Sequence, residues 1–158
     1  MTRIILLDSG DLGLACHKPG HLTGGKFREW MFREWANGAM IVIPKMADYE
    51  IRRSLLLSGS DQAVDRLDDL YAHPARYLPI NTAAMRTAAN LWAQARRRGQ
   101  PTAHDKALDG DVVVAAQAIE FCSDADDWSL ATENVSDLSR HVGPRARSWL
   151  DLAGKGTP

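Results

Sequence analysis

Three short runs constrain the fold more than anything else in this chain. Residues 4–7 (Ile-Ile-Leu-Leu), 40–43 (Met-Ile-Val-Ile) and 128–132 (Trp-Ser-Leu-Ala-Thr) are apolar or nearly so, without the alternation of a strand that has one wet face. Such a run reads as a strand buried on both sides, the kind found in a parallel sheet. Parallel neighbours need crossover connections, and helical patterns fill the intervals. The spacing predicts helices over 9–17, 26–37, 47–57, 60–71 and 81–98. A further helix, begun by Asp109 or Asp111, should run through Cys122, with a short one after residue 132. Residues 77–80 are a further strand candidate and 148–152 a last one; 19–25, with three glycines and a proline, read as a loop. The expected architecture is α/β: three layers, α/β/α, around a central, mainly parallel sheet.

A chain of 158 residues fits one domain around one core. Residues 1–152 are assigned to it and 153–158 to a loose C-terminal tail. No apolar run reaches the length that spans a bilayer, and 4–7 is too short for a signal-peptide core, so a cytoplasmic setting and no membrane partner are expected. Cys16 and Cys122 lie in apolar surroundings and read as reduced thiols, too few for a zinc cage. The formal net charge of −1 argues against a protein that holds nucleic acid by a broad basic surface. It leaves room for an enzyme that cuts it, because a metal site needs carboxylates that offset arginines elsewhere.

Ligands of parallel α/β folds bind beyond the carboxyl ends of the strands. Four acids fall there. Asp8 directly follows the first run, Glu50 lies in the helix after the second, Asp111 opens the helix rich in valine and alanine, and Asp137 follows the third run. Asp109, two before Asp111, is an auxiliary to them and a competing helix cap. Taken singly, each acid has an ordinary explanation as a cap, a turn or a solvated helix residue. Asp8 is hardest to dismiss, since an acid ending a buried strand is costly without a partner. Brought together, carboxylates repel unless a cation sits among them. Oxygen-only donors suit magnesium or manganese, which activate an attacking water and stabilise the leaving oxygen of a phosphodiester. The candidate metal ligands are Asp8, Asp111, Asp137 and Asp109, and the candidate catalytic set is Asp8, Glu50, Asp111 and Asp137. Ser9, Thr132 and Asn134 are placed to orient a ligand or the attacking water. Arg52 and Arg53 are placed to face a phosphate or to pair with acids; Glu133 and Asp11 are lesser metal candidates. Lys106 and Arg140 flank the third and fourth acids and suit contacts to a nucleic-acid backbone.

These segments resemble the PIN-domain family, and within it the VapC-type toxins of bacterial toxin–antitoxin pairs. Ile5-Leu6-Leu7-Asp8-Ser9 is similar to that family's first strand, an acid followed by a small hydroxyl residue. The helical stretch Asp48-Tyr49-Glu50-Ile51-Arg52 resembles the one that gives the second acid. Asp111 stands in a stretch that resembles the third motif, with Ala115-Ala116 after it, and Thr132-Glu133-Asn134-Val135-Ser136-Asp137 resembles the fourth. The resemblance covers nearly the whole chain in order. It implies a magnesium- or manganese-dependent endoribonuclease, a homodimer, and an antitoxin partner whose tail blocks the site. The alternative within the same fold is a PIN-like domain for RNA processing or for a non-catalytic structural role. The segment 17–38, with Trp30 and Trp35, is longer than the family's usual connection, and Leu138 stands where phenylalanine is more common. Two other readings fail on particular residues. Gly20 to Lys26 has phosphate-loop spacing, but Phe27 follows where a serine or threonine must hold magnesium. A phosphate-transferring receiver or phosphatase would want a further acid pair and a lysine ending later strands, an arrangement not found here.

Overall fold

A computed structural model of the chain describes residues 2–99 and 109–154. Five parallel strands form one sheet in the order β3-β2-β1-β4-β5. They are β1 (Ile4–Leu7), β2 (Met40–Pro44), β3 (Ala75–Leu78), β4 (Trp128–Ala131) and β5 (Ala146–Arg147). Helices flank the sheet in the expected three-layer α/β/α arrangement. In chain order they are α1 (Ser9–Ala15), α2 (Leu22–Ala36), α3 (Lys45–Leu57), α4 (Asp61–Ala72), α5 (Thr82–Arg97), α6 (Gly110–Phe121), α7 (Val135–Val142) and α8 (Trp149–Gly154). Every side chain of β1 is buried, which is what a central strand covered on both faces demands. No helix among the described residues is long and apolar enough to cross a membrane. Cys16 and Cys122 are buried free thiols.

The topology fixes where a site can form. From β1 the chain moves outward to β2 and β3, then returns to the other side of β1 to make β4 and β5. The order reverses between β1 and β4, and the crevice at such a switch point is where α/β folds take ligands. Leu7 pairs with Ala131 in register, so the next residues of the two strands, Asp8 and Thr132, emerge side by side. Gln117 ties α6 to the carboxyl ends of β2 and β3. It is buried in α6, accepts from the Met46 N–H at 3.2 Å, and donates to the carbonyls of Leu78 and Pro79 at 3.0 and 3.3 Å.

Several boundaries differ from the expected ones. Helix α2 begins at Leu22, so Gly24 and Gly25 are helical and not part of a loop. The His21 imidazole caps it, Nδ1 accepting from the Gly24 N–H at 2.9 Å. Gly24 is there for packing: a Cβ would stand 2.9 Å from both His17 Cβ and the Leu14 carbonyl oxygen. The expected strand 148–152 is helical. The Ser148 hydroxyl accepts from the Asp151 N–H at 3.1 Å, and Trp149 and Leu152, three apart, bury one helical face. The fifth strand precedes it, and α8 carries Ala153 and Gly154, assigned above to a loose tail; residues 155–158 lie outside the described residues. Strand β3 begins two residues before the predicted run, at Ala75. The two tryptophans of segment 17–38 part ways. Trp30 packs in the core with Phe27 and Trp149, while Trp35 is partly exposed and meets His73 edge-on.

Candidate metal centre

The first acid is locked by the strands themselves. Asp8 caps α1, and its carboxylate accepts from the Ser9 N–H and from the Thr132 hydroxyl, both at 2.8 Å. Thr132 is fully buried, and its oxygen in turn accepts from the Asn134 N–H at 2.9 Å. The Asn134 amide then donates to Asp111 Oδ2 at 3.3 Å. A continuous chain of hydrogen bonds therefore runs Asp8–Thr132–Asn134–Asp111, from the end of β1 to the first turn of α6. Ser9 reaches Asp8 through its backbone N–H, while the side chains of Thr132 and Asn134 hold Asp8 and Asp111.

The other acids arrive from three helices. Asp109 is buried and caps α6, accepting from the Asp111 N–H at 3.2 Å. Glu50 comes from the second turn of α3 and lies on the start of α6. Its Oε1 is buried without a hydrogen-bond partner among the described residues. The approach is so close that a Cβ at Gly110 would fall 2.7 Å from the Glu50 carboxyl carbon. A Gly110→Ala variant will therefore push the flexible end of Glu50 out of place. We expect it to keep its stability to within about 1 kcal/mol, read by chemical denaturation, while cleavage falls. Asp137 sits on the first turn of α7 at the rim, partly exposed and 3.5 Å from Arg140 Nη1.

The charges converge although the elements differ. Burial, then the charges of Asp8 and Asp111, push Glu50 up to about 7. Burial, then Asp8, Asp109 and Asp137, push Asp111 up to about 6. Asp8 is raised by burial against the lowering effect of its Thr132 and Ser9 hydrogen bonds. Glu50 and Asp111 both feel the charges of Asp8 and Asp109, and Glu50 also that of Asp111, as neighbouring carboxylates must. Among the described residues no three such side chains close into a ready-made coordination shell. The donor set nevertheless suits a hard divalent cation: oxygen ligands only, mutual repulsion to relieve, and a buried carboxylate oxygen left without a partner.

Arg52 does not face this centre. Its guanidinium grips Asp48 in a fork at 2.9 and 3.0 Å and reaches Asp68 at 2.7 Å; Tyr71 also donates to Asp48. Arg53 lies over the Tyr49 ring, 5.2 Å from its centroid, and its charge acts on Glu50 only to lower it. Lys106 lies outside the described residues. Asp11 is the residue that sequence reasoning undervalued. It is wholly buried one turn after Asp8, and neither carboxylate oxygen has a partner among the described residues. Burial, then the charges of Glu133 and Asp8, push it up to about 8. The signal was its spacing: three residues after a helix-capping acid puts it on the same helical face.

Comparison with solved structures decides the fold. The chain superposes on a VapBC2 structure from Rickettsia felis, bound to a DNA fragment from its promoter, with a TM-score of 0.68 at 15% identity, covering 92% of this chain and 98% of that one. This chain has the PIN-domain fold of VapC toxins. A VapBC-1 structure from nontypeable Haemophilus influenzae agrees, with a TM-score of 0.65 at 16% identity over 93% of this chain and 98% of that one. No protein-family model matches the sequence and no curated protein does. The sequence resemblance to the PIN fold thus holds in three dimensions, with Asp8 and Thr132 at the switch point of the PIN sheet.

Proposed function

We propose that this protein is a magnesium- or manganese-dependent endoribonuclease, the toxin of a toxin–antitoxin pair, acting in the cytoplasm. The observation that carries the reading is the convergence of Asp8, Glu50 and Asp111 at the carboxyl edge of β1 and β4, with Glu50 Oε1 buried and unpartnered among the described residues. Asp8 and Asp111 are the principal cation ligands, with Asp109 beneath them and Asp137 at the rim. When bound, the cation neutralises the carboxylates, polarises the phosphodiester and makes the attacking water more acidic. Glu50, pushed up to about 7 and so partly ionised at neutral pH, would take the proton of that water at its unpartnered oxygen in its carboxylate form. The water oxygen bonds to phosphorus, the bond to the 3′ oxygen breaks, and that oxygen takes a proton from solvent while Glu50 later returns its own to solvent, so that the products end in a 3′ hydroxyl and a 5′ phosphate. The Thr132–Asn134 bridge keeps Asp8 and Asp111 at a fixed separation, so that little reorganisation is needed when the cation and substrate arrive.

The fold shared with VapBC complexes supports an antitoxin partner, and the family resemblance supports a homodimer and RNA as the substrate. Purified protein incubated with structured RNA and manganese will cut it. Cleavage will stop on chelation and in Asp8→Ala and Asp111→Ala variants. Cleavage that persists under chelation or in both variants would remove the metal reading. Growth arrest on expression, relieved by the product of a small adjacent gene, separates a toxin from an RNA-processing enzyme.

A further inference from the structure

A groove of about 820 Å³ opens between α1, α3 and α4. It lies within the size range of ligand clefts, about 300–1,000 Å³. Gly10, two residues after Asp8, is among its lining residues, as is Ile51, the chain neighbour of Glu50. Leu14, Ile51 and Leu55 form an apolar floor. The far wall belongs to the long segment after α1. His17 and His21 stack there in parallel, ring centroids 3.8 Å apart and planes 9° apart. Lys18 stands beside them and Arg66 opposite, the latter anchored through Nε to the Cys16 carbonyl at 2.7 Å. The Arg28 guanidinium is fixed behind the pair on the His17 carbonyl at 2.9 Å. The acidic centre is flanked by carboxylates, but this groove carries cations, with Asp61 its one acidic lining residue.

We infer that this groove holds the stretch of single-stranded RNA next to the scissile phosphate, with a base against the stacked His17–His21 pair and the apolar floor, and backbone phosphate against Lys18 and Arg66. The inference rests on the nuclease reading of the acidic centre and deepens it. A strand that places one phosphate among the acids must run on over the adjoining surface. Gly10 and Ile51, chain neighbours of Asp8 and Glu50, line the groove, so it lies near the acids, and its cations are opposite to them in charge. Flat rings plus cations are the elements by which single strands are bound without reading sequence. The extended connection 17–38 thereby gains a role: its first turn builds a substrate wall.

The test uses the full chain and exposed residues outside the acidic centre. Binding of a labelled, unstructured oligoribonucleotide is followed by fluorescence anisotropy in chelator, so that the readout does not depend on cleavage. A His17→Ala/Lys18→Ala double variant will bind about tenfold more weakly than the parent. Lys18→Ala alone will lower the slope of log K against log salt by about 0.7, one phosphate contact on a single strand. A dinucleotide, too short to reach the groove, will bind parent and variants alike. Unchanged oligonucleotide affinity and salt slope overturn the inference. If the groove seats a partner polypeptide instead, the variants will keep their RNA affinity and lose only co-purification with the adjacent gene's product, which also overturns it. Failure of the nuclease reading is seen separately, as binding without cleavage when manganese is restored.

Discussion

An Asp111→Asn variant will be nearly inactive and yet more stable than the parent at neutral pH. Asp111 carries a carboxylate that burial and the charges of Asp8, Asp109 and Asp137 all disfavour, raising it from 3.8 to about 6. The sign follows from linkage. A carboxyl whose folded-state pKa is raised holds its proton in the folded chain after the unfolded chain has released it. Stability is then full below about 4 and declines as pH rises toward and through about 6. Asparagine removes that decline and keeps an oxygen to accept from the Asn134 amide, now at 3.3 Å from Oδ2. Allowing for partial exposure, the gain at pH 8 is about 1–2 kcal/mol, and it vanishes near pH 4. Denaturant melts at the two pH values read it directly. Cleavage will meanwhile fall by about 10²–10³-fold, the usual scale for deleting one group that answers transition-state charge. A variant that lost activity and stability together would show Asp111 to be structural.

Asp11 supplies the larger pH effect. Its carboxyl is wholly buried, unpartnered among the described residues, and raised from 3.8 to about 8 by burial, then by Glu133 and Asp8. Between those two values the unfolded chain ionises and the folded chain resists. The parent therefore loses stability as pH rises across that window, by up to about 1.4 kcal/mol per pH unit. Asp11→Asn removes the titration. At pH 4 the two chains carry neutral polar groups of the same size and will melt alike. By pH 8 the variant will be ahead by several kcal/mol, at about 2–4 °C in Tm for each kcal/mol in a domain of this size. Parallel melting curves at all pH values would mean that Asp11 has an ionic partner or solvent access in solution.

The sequence exposed the sheet because wholly apolar strands have few other uses. Residues 4–7 and 40–43 could hardly be anything but inner strands, and their neighbours in the sheet follow. The acids were legible for a related reason. Asp8 ends a buried strand and Asp111 begins a helix rich in valine and alanine, positions where an acid is costly without a purpose. What stayed hidden depends on contacts far apart in the chain. Gly24 reads as a loop residue until His17 and Leu14 are seen pressing on it. Arg52 reads as a phosphate ligand until Asp68, sixteen residues on, claims it. Thr132 and Asn134 read as ligand contacts, while their geometry makes them the bridge between Asp8 and Asp111. The helix at 149–154 was missed because a short apolar run has no period long enough to separate strand from helix.

Asp8 and Asp111 are proposed to hold one divalent cation, with Glu50 beside it as the base. Thermal unfolding followed across a manganese titration tests it without requiring any substrate. A cation bound only by the folded chain stabilises it by RT ln(1 + [L]/Kd), about 2.7 kcal/mol at a hundredfold excess over Kd. The parent's Tm will climb in that manner, and more steeply at pH 8 than at pH 5, where protons compete for Asp111. Asp8→Asn and Asp111→Asn will each flatten most of the climb, while Glu50→Gln will keep most of it. A Tm indifferent to manganese in the parent, or one that rises as much in Asp8→Asn and Asp111→Asn as in the parent, would contradict this site.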